Sequence, residues 1–206
     1  MIHSNNLSVI RSKDKCVIEE KSDCEWLVTV SAGGDFQADF VKTEGPLSVT
    51  VILAGDGAKC QLNCAYLCND NNKIDIDFKV LHKSGKTISS QQIKGLSTGH
   101  GQVSFNGTIT IPYDSQKCDG RQNHRGIILS DTAKISATPE LEIWADDVKC
   151  AHGSAIGPLD KDQLFYLQTR GIPLTEAKKL LLSSFFNGFM TPEFDTFIHD
   201  WMGKNV

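Results

Sequence analysis

No stretch of this 206-residue chain is apolar for long enough to cross a bilayer as a helix, which sets aside an integral helical membrane protein. The opening Met1-Ile-His-Ser-Asn-Asn-Leu7 has no basic segment leading into an apolar one, so no secretory leader is read and a cytoplasmic protein is expected. Excess charge is also scarce. A formal net charge of −4 leaves no basic footprint for nucleic acid and singles out no charged partner. The Gly-x-x-x-x-Gly-Lys-Ser/Thr loop is absent, so any nucleotide chemistry of that kind belongs to another chain. Seven cysteines are an odd number without the spacing of a small disulfide scaffold, which fits reduced thiols.

Helical periodicity is missing too, from residue 7 to about residue 157. What stands there is strand after strand: Trp26-Leu-Val-Thr-Val30, Ser48-Val-Thr-Val-Ile-Leu53, Ile74-Asp-Ile-Asp-Phe-Lys-Val80, Gln102-Val-Ser-Phe105, Ile109-Thr-Ile111, Ile127-Ile-Leu129 and Leu141-Glu-Ile143. Alternation of Ile74, Ile76, Phe78 and Val80 with polar residues marks a strand with one buried face. Turn residues separate the strands, as in Ala32-Gly-Gly-Asp35, Gly55-Asp-Gly57 and Asn69-Asp-Asn-Asn72. Strands without intervening helices exclude a doubly wound fold and leave two architectures, an antiparallel sandwich or a solenoid of stacked strands. Beyond Gly157 the texture turns helical. Asp160-Lys-Asp-Gln163 reads as a capping box, Gly171 as a stop, Pro173 as a start and Gly188 as a second stop. Thr191-Pro-Glu193 then opens a third helix, with Phe194, Phe197, Ile198, Trp201 and Met202 on one face. Residues 1–157 are therefore expected to form the β core and residues 158–206 a helical appendage.

The candidate chemistry centres on Glu140-Leu-Glu-Ile-Trp-Ala-Asp-Asp-Val-Lys-Cys-Ala-His-Gly153. In an extended chain Cys150 and His152 share a side, and thiolate with imidazole is a donor pair for a soft or borderline metal. On spacing alone, filling a core is the more ordinary task for such residues. Cys60, Cys64 and Cys68 share parity with Leu62 and Tyr66, so they read as interior thiols rather than metal ligands. Asp146 and Asp147 read as turn residues with their charges in water, while Cys16 and Cys24 support no assignment.

Several ordered motifs resemble the SufB/SufD family of iron–sulfur cluster assembly proteins. They are Val103-Ser-Phe-Asn-Gly107, Gln116-Lys-Cys-Asp-Gly120, Gln122-Asn-His-Arg-Gly-Ile-Ile-Leu-Ser-Asp131, Asp146-Asp-Val-Lys-Cys-Ala-His-Gly153, Leu164-Phe-Tyr-Leu-Gln-Thr-Arg-Gly-Ile172 and Glu176-Ala-Lys-Lys-Leu-Leu-Leu182. The resemblance implies an all-β solenoid, a right-handed parallel β-helix, with a small C-terminal α-helical appendage. It implies a SufD-like, non-enzymatic scaffold that pairs through its β-helix with a SufB-like subunit or with itself. A SufC-type ABC ATPase would dock on the C-terminal helices, for which Phe165, Arg170, Leu181, Phe185 and Phe189 are the candidate contacts. Iron or a transient iron–sulfur cluster would be the cargo, with no tightly bound cofactor. His152 takes the place of the family's interface histidine, with Cys150 beside it as a second candidate metal ligand. His124 stands where SufB-like chains carry a cysteine, and Cys118 lies close enough in sequence to substitute for that cysteine. His124 alone reads as a turn residue on a solvated corner; with coils of about twenty to thirty residues, it and His152 could converge. The chain also looks like a short family member, about half the usual length and without the N-terminal helical region. A β-solenoid enzyme (a lyase or metal-dependent hydrolase) and a purely structural oligomerisation module are the competing classes.

Overall fold

A computed structural model describes residues 2–3, 6–22, 24–190 and 192–206. Two parallel ladders carry the molecule. One stacks β4 (Gly45–Leu53), β6 (Lys73–His82), β8 (Gln102–Ile111) and β10 (Lys134–Ile143). The other stacks β5 (Lys59–Cys68), β7 (Ile88–Ser97), β9 (Asp119–Ile128) and β11 (Lys149–Pro158). The chain alternates between them, one strand in each per turn, so the core is a β-solenoid. Of the two architectures left open by the strand pattern, parallel pairing decides for the solenoid.

The long β3 (Glu25–Lys42) serves both ladders. Its first half pairs in parallel with β4 and its second half with β5. β2 (Asn6–Ser22) runs antiparallel along β3 and closes that end, with the two-residue β1 (Ile2–His3) folded back on it. Three register shifts interrupt β2 against β3.

Stacking in register converts sequence alternation into columns of side chains. Leu47, Ile76, Phe105 and Ala137 form one inward column, successive members being 29, 29 and 32 positions apart. Phe78 and Phe105 meet edge to face with centroids 6.3 Å apart, and neither is exposed. Uneven spacing and degenerate composition explain why no repeat is obvious in the sequence, although each coil buries the same face.

α1 (Lys161–Thr169), α2 (Leu174–Phe186) and α3 (Pro192–Asn205) follow the last strand. Asp160 caps α1: its Oδ1 accepts from the backbone N–H of Asp162 at 2.9 Å and of Gln163 at 3.2 Å, and its Oδ2 from Gln163 Nε2 at 3.0 Å. Gly171, at φ +85°, takes the left-handed turn after α1 that a side chain would oppose. Leu182, Phe186, Phe194, Ile198, Trp201 and Met202 pack on the outer face of the second ladder, against Val41, Ala65, Leu67 and Leu96. The helices are thus fastened to the solenoid wall. α1 buries none of its residues.

Candidate functional site at the open end of the solenoid

The site follows from three inward columns of the second ladder. They run Phe36–Cys60–Ser89–Gly120–Cys150, Ala38–Leu62–Gln91–Gln122–His152 and Phe40–Cys64–Ile93–His124–Ser154. Each begins apolar beside β3 and becomes polar toward β11. Because β11 ends its ladder, the last members meet solvent where their predecessors are covered. Cys150 is half-buried, while His152 and Ser154 are exposed. Along β10, Ile135, Ala137, Pro139 and Leu141 are likewise only half-buried, because no further coil covers them.

His124 lies inside the coil, contrary to the solvated corner expected for it. Its side chain is fully buried, with the ring stacked between Phe105 at 5.3 Å and Tyr66 at 5.8 Å. Its Nε2 and the Tyr66 hydroxyl are 3.0 Å apart, as are its Nδ1 and the Ser154 hydroxyl. Burial lowers the pKa to about 4, so the imidazole is neutral at physiological pH. Both ring nitrogens are therefore committed to hydroxyl partners. The expected convergence of two imidazoles does not occur: His124 pairs in register with Ser154, and His152 pairs with Gln122. Among the described residues no group of three or more His, Cys, Asp or Glu side chains is placed to hold a metal ion.

A second buried histidine, His82, ends β6 of the first ladder and reaches the Ser89 column of the second. His82 Nδ1 lies 2.7 Å from the Thr87 hydroxyl, and Nε2 lies 2.8 Å from that of Ser89. Thr87 in turn touches Cys118 Sγ at 3.2 Å, and that thiol donates to the Ser115 carbonyl at 3.2 Å. Desolvation takes the His82 pKa down to about 4. Cys118 is thus an interior thiol with local partners, and Cys150 packs in the same cluster with Ile109, Ile111 and Leu141. Burial raises the Cys150 thiol, which keeps it protonated at neutral pH until something at the open end stabilises the thiolate. Farther in, desolvation lifts Cys64 to about 12 and raises Cys60 as well. These two are inert fillers, as their parity with Leu62 indicated.

Below His152 the second column keeps two amides out of water. Gln122 Nε2 donates to Gln91 Oε1 at 2.8 Å, while Gln122 Oε1 and Gln91 Nε2 have no partner among the described residues. A buried amide left half-satisfied is costly. Of these buried polar positions, His82 carries a signal in hindsight. Val80 extends by one alternation to His82, whereas the Gly120-Arg-Gln-Asn-His-Arg-Gly126 run has no apolar member to reveal its parity.

The candidate helical contacts divide. Phe165 on α1 and Arg170 at its C-cap are exposed, with the Arg170 guanidinium 5.3 Å above the exposed Tyr166 ring. Leu181, Phe185 and Phe189 are half-buried, and the last two pack on the ladder with Lys94 Nζ 5.4 Å and 4.8 Å from their rings. Asp146 and Asp147 are exposed in the turn between β10 and β11, as expected.

Comparison with known proteins accords with this architecture. The family model described as "SUF system FeS cluster assembly, SufBD core domain" matches residues 5–185. Protein ABCI7, chloroplastic, from Arabidopsis thaliana is 34% identical over 173 residues, covering 82% of this chain and 34% of the relative. The iron–sulfur cluster assembly protein SufD of Escherichia coli (strain K12) is 32% identical over 133 residues, covering 65% of this chain and 31% of that one. SufD of Bacillus subtilis (strain 168) is 31% identical over 144 residues, covering 69% and 32%. The chain therefore spans about a third of the length of these curated relatives, and it belongs to the SufBD family.

Proposed function

We propose that this SufBD-family chain is a SufD-like scaffold subunit in iron–sulfur cluster assembly, working without chemistry of its own on a substrate bond. The observation that carries the reading is the trio of half-buried Cys150 and exposed His152 and Ser154. They end three inward columns at the uncovered face of the solenoid. One thiol and one imidazole are too few to hold iron or a cluster alone, since such cargo is normally held by four ligands drawn chiefly from thiolates. A second protein facing this end would supply the rest, whether a SufB-like subunit or another copy of the chain.

The end itself suits pairing. β10 and β11 present free backbone N–H and C=O groups along their outer edges, and Ile135, Ala137 and Leu141 on β10 are only half-buried there. Two such ends meeting would continue both ladders and cover the apolar strip. Any ATPase partner of the SufC type would meet α1. Phe165 at 68% and Tyr166 at 58% exposure are its free aromatics, whereas Phe185 and Phe189 are committed to the wall. Among the described residues no helix is long and apolar enough to cross a membrane.

Anaerobic reconstitution with iron, sulfide and a SufB-like partner tests the proposal. His152→Ala is expected to leave the circular dichroism spectrum unchanged and abolish the visible thiolate-to-iron absorbance of the paired scaffold. Unaltered assembly by both His152→Ala and Cys150→Ser would end this reading. Phe165→Asp with Tyr166→Asp should separately remove co-elution with the ATPase while pairing persists.

A further inference from the structure

On the outer face of the second ladder Lys94 and Arg125 are register partners on neighbouring strands, β7 and β9. Strands in a sheet lie about 4.8 Å apart, so two cations are stacked directly against each other, an arrangement that destabilises a sheet when nothing neutralises it. Among the described residues neither meets a carboxylate. Lys94 Nζ spends one proton on the Phe185 carbonyl at 2.7 Å, at the C-terminal end of α2, and otherwise faces the Phe185 and Phe189 rings. Arg125 lies 5.5 Å from the Phe185 ring centroid and makes no ion pair or hydrogen bond to a described residue. Each cation opposes the other, and desolvation together with Arg125 lowers the lysine's pKa.

Both side chains line a cavity of about 560 Å³ between the wall and the helices. That volume falls in the range of small-molecule sites. Its further lining includes Gln163 and Ser184, which are neutral hydrogen-bond donors, and the Gly157 backbone. One carboxylate, Asp160, also borders it, but both its oxygens are occupied by the first turn of α1. The lining is otherwise largely apolar, and its charge is two adjacent cations against one carboxylate already bonded to the first turn of α1, a net positive balance that favours an oxyanion.

We infer that this cavity binds a phosphate-class oxyanion, held by Lys94 Nζ and the Arg125 guanidinium beneath α2. The forked guanidinium matches two oxygens of a tetrahedral anion, and the ammonium supplies a point charge to a third. Occupancy relieves the stacked repulsion and ties the end of α2 to the ladder. This site is separate from the open end of the solenoid, and its existence does not depend on the scaffold reading.

Inorganic phosphate titrated into the intact chain at constant ionic strength, with chloride as the balancing anion, tests the inference. The readouts are the thermal midpoint and the phosphorus NMR linewidth. Saturable binding in the millimolar range or tighter is expected, with Arg125→Gln weakening it about tenfold or more, the usual effect of losing a charge-assisted contact. Lys94→Arg keeps the charge and should retain binding, while Arg125→Gln, on an exposed side chain, should remain folded. A parallel titration with adenosine monophosphate separates the sources. Tighter binding than phosphate assigns the cavity to a phosphorylated small molecule, and equal or weaker binding assigns it to the free anion. Phosphate that acts no differently from chloride, or that binds Arg125→Gln as well as the parent, overturns the inference.

Discussion

Tyr66 and His124, 58 residues apart in sequence, stack nearly parallel at 5.8 Å and share a hydrogen bond of 3.0 Å inside the solenoid. The pair ties β5 to β9 across the intervening β7, where the paired position is Gly95. A Cβ built on Gly95 would lie 2.2 Å from the Tyr66 ring, and one on Gly126 would lie 2.6 Å from its hydroxyl. The glycines are there because the tyrosine lies over them.

Gly95→Ala and Gly126→Ala should therefore both destabilise the fold by overpacking, by about 1–3 kcal/mol each, and by more if the Tyr66 ring cannot shift. The backbone at neither position requires a positive φ, so the loss is steric. Equilibrium urea unfolding measures it. Pairing either alanine with Tyr66→Phe should restore stability only for Gly126→Ala, whose contact is with the hydroxyl.

Acid should weaken the molecule before its carboxylates titrate. His82 and His124 both have folded pKa values near 4, below the ordinary 6.5 of an unfolded histidine. A proton thus binds the unfolded chain first. The stability these groups contribute is complete above about pH 6.5 and falls as pH drops toward 4, on the order of 1–2 kcal/mol per histidine by pH 5. Unfolding curves at pH 7.5 and 5 should show the loss, and His124→Phe should remove about half of it. A stability unchanged between those pH values contradicts the buried, neutral assignment.

Thiol reactivity should split the cysteines into two groups. Cys16, Cys24 and Cys150 are half-buried, whereas Cys60, Cys64, Cys68 and Cys118 are buried. Iodoacetamide at neutral pH, read by mass spectrometry, should modify the first three slowly and the other four only after denaturation. Labelling of Cys64 in the native chain at a rate like that of Cys24 would show that the coil opens far more readily than its packing implies.

Phe105 faces Phe78 on one side and His124 on the other. Phe105→Ala should cost about 3–5 kcal/mol and also raise the His124 pKa by admitting water. Histidine proton NMR titration reads the second effect independently of the first.

How much of this could be read from residues alone varies along the chain. β6 was legible because Ile74, Ile76, Phe78 and Val80 alternate with charged residues that face water. β9 was not: its inward positions are Gly120, Gln122, His124 and Gly126, which no hydrophobic pattern distinguishes from a turn. That is why His124 was expected on a corner and lies instead between two rings. Tertiary contacts from Tyr66 and Phe105, far away in sequence, decide its environment. The capping of α1 by Asp160 was legible since it is local. The commitment of Phe185 and Phe189 to the wall was not, because it depends on Lys94 nearly a hundred residues earlier. Cys150 and His152 were placed correctly on one inward-register side, but their exposure depends on β11 being the last rung of its ladder.

The two termini of the strand stack differ in kind. At one, the antiparallel β2 carries Arg11, Lys13, Asp14, Lys15, Glu19, Glu20 and Lys21 exposed along an edge broken by register shifts, features that discourage any further strand from adding. At the other, β10 and β11 are regular and bare. A stack with one blunted terminus and one adhesive terminus is not a monomer for a fibre. Head-to-tail growth would have nowhere to continue, and contact between two bare termini would use up both, so any pairing through this end would stop at a closed pair.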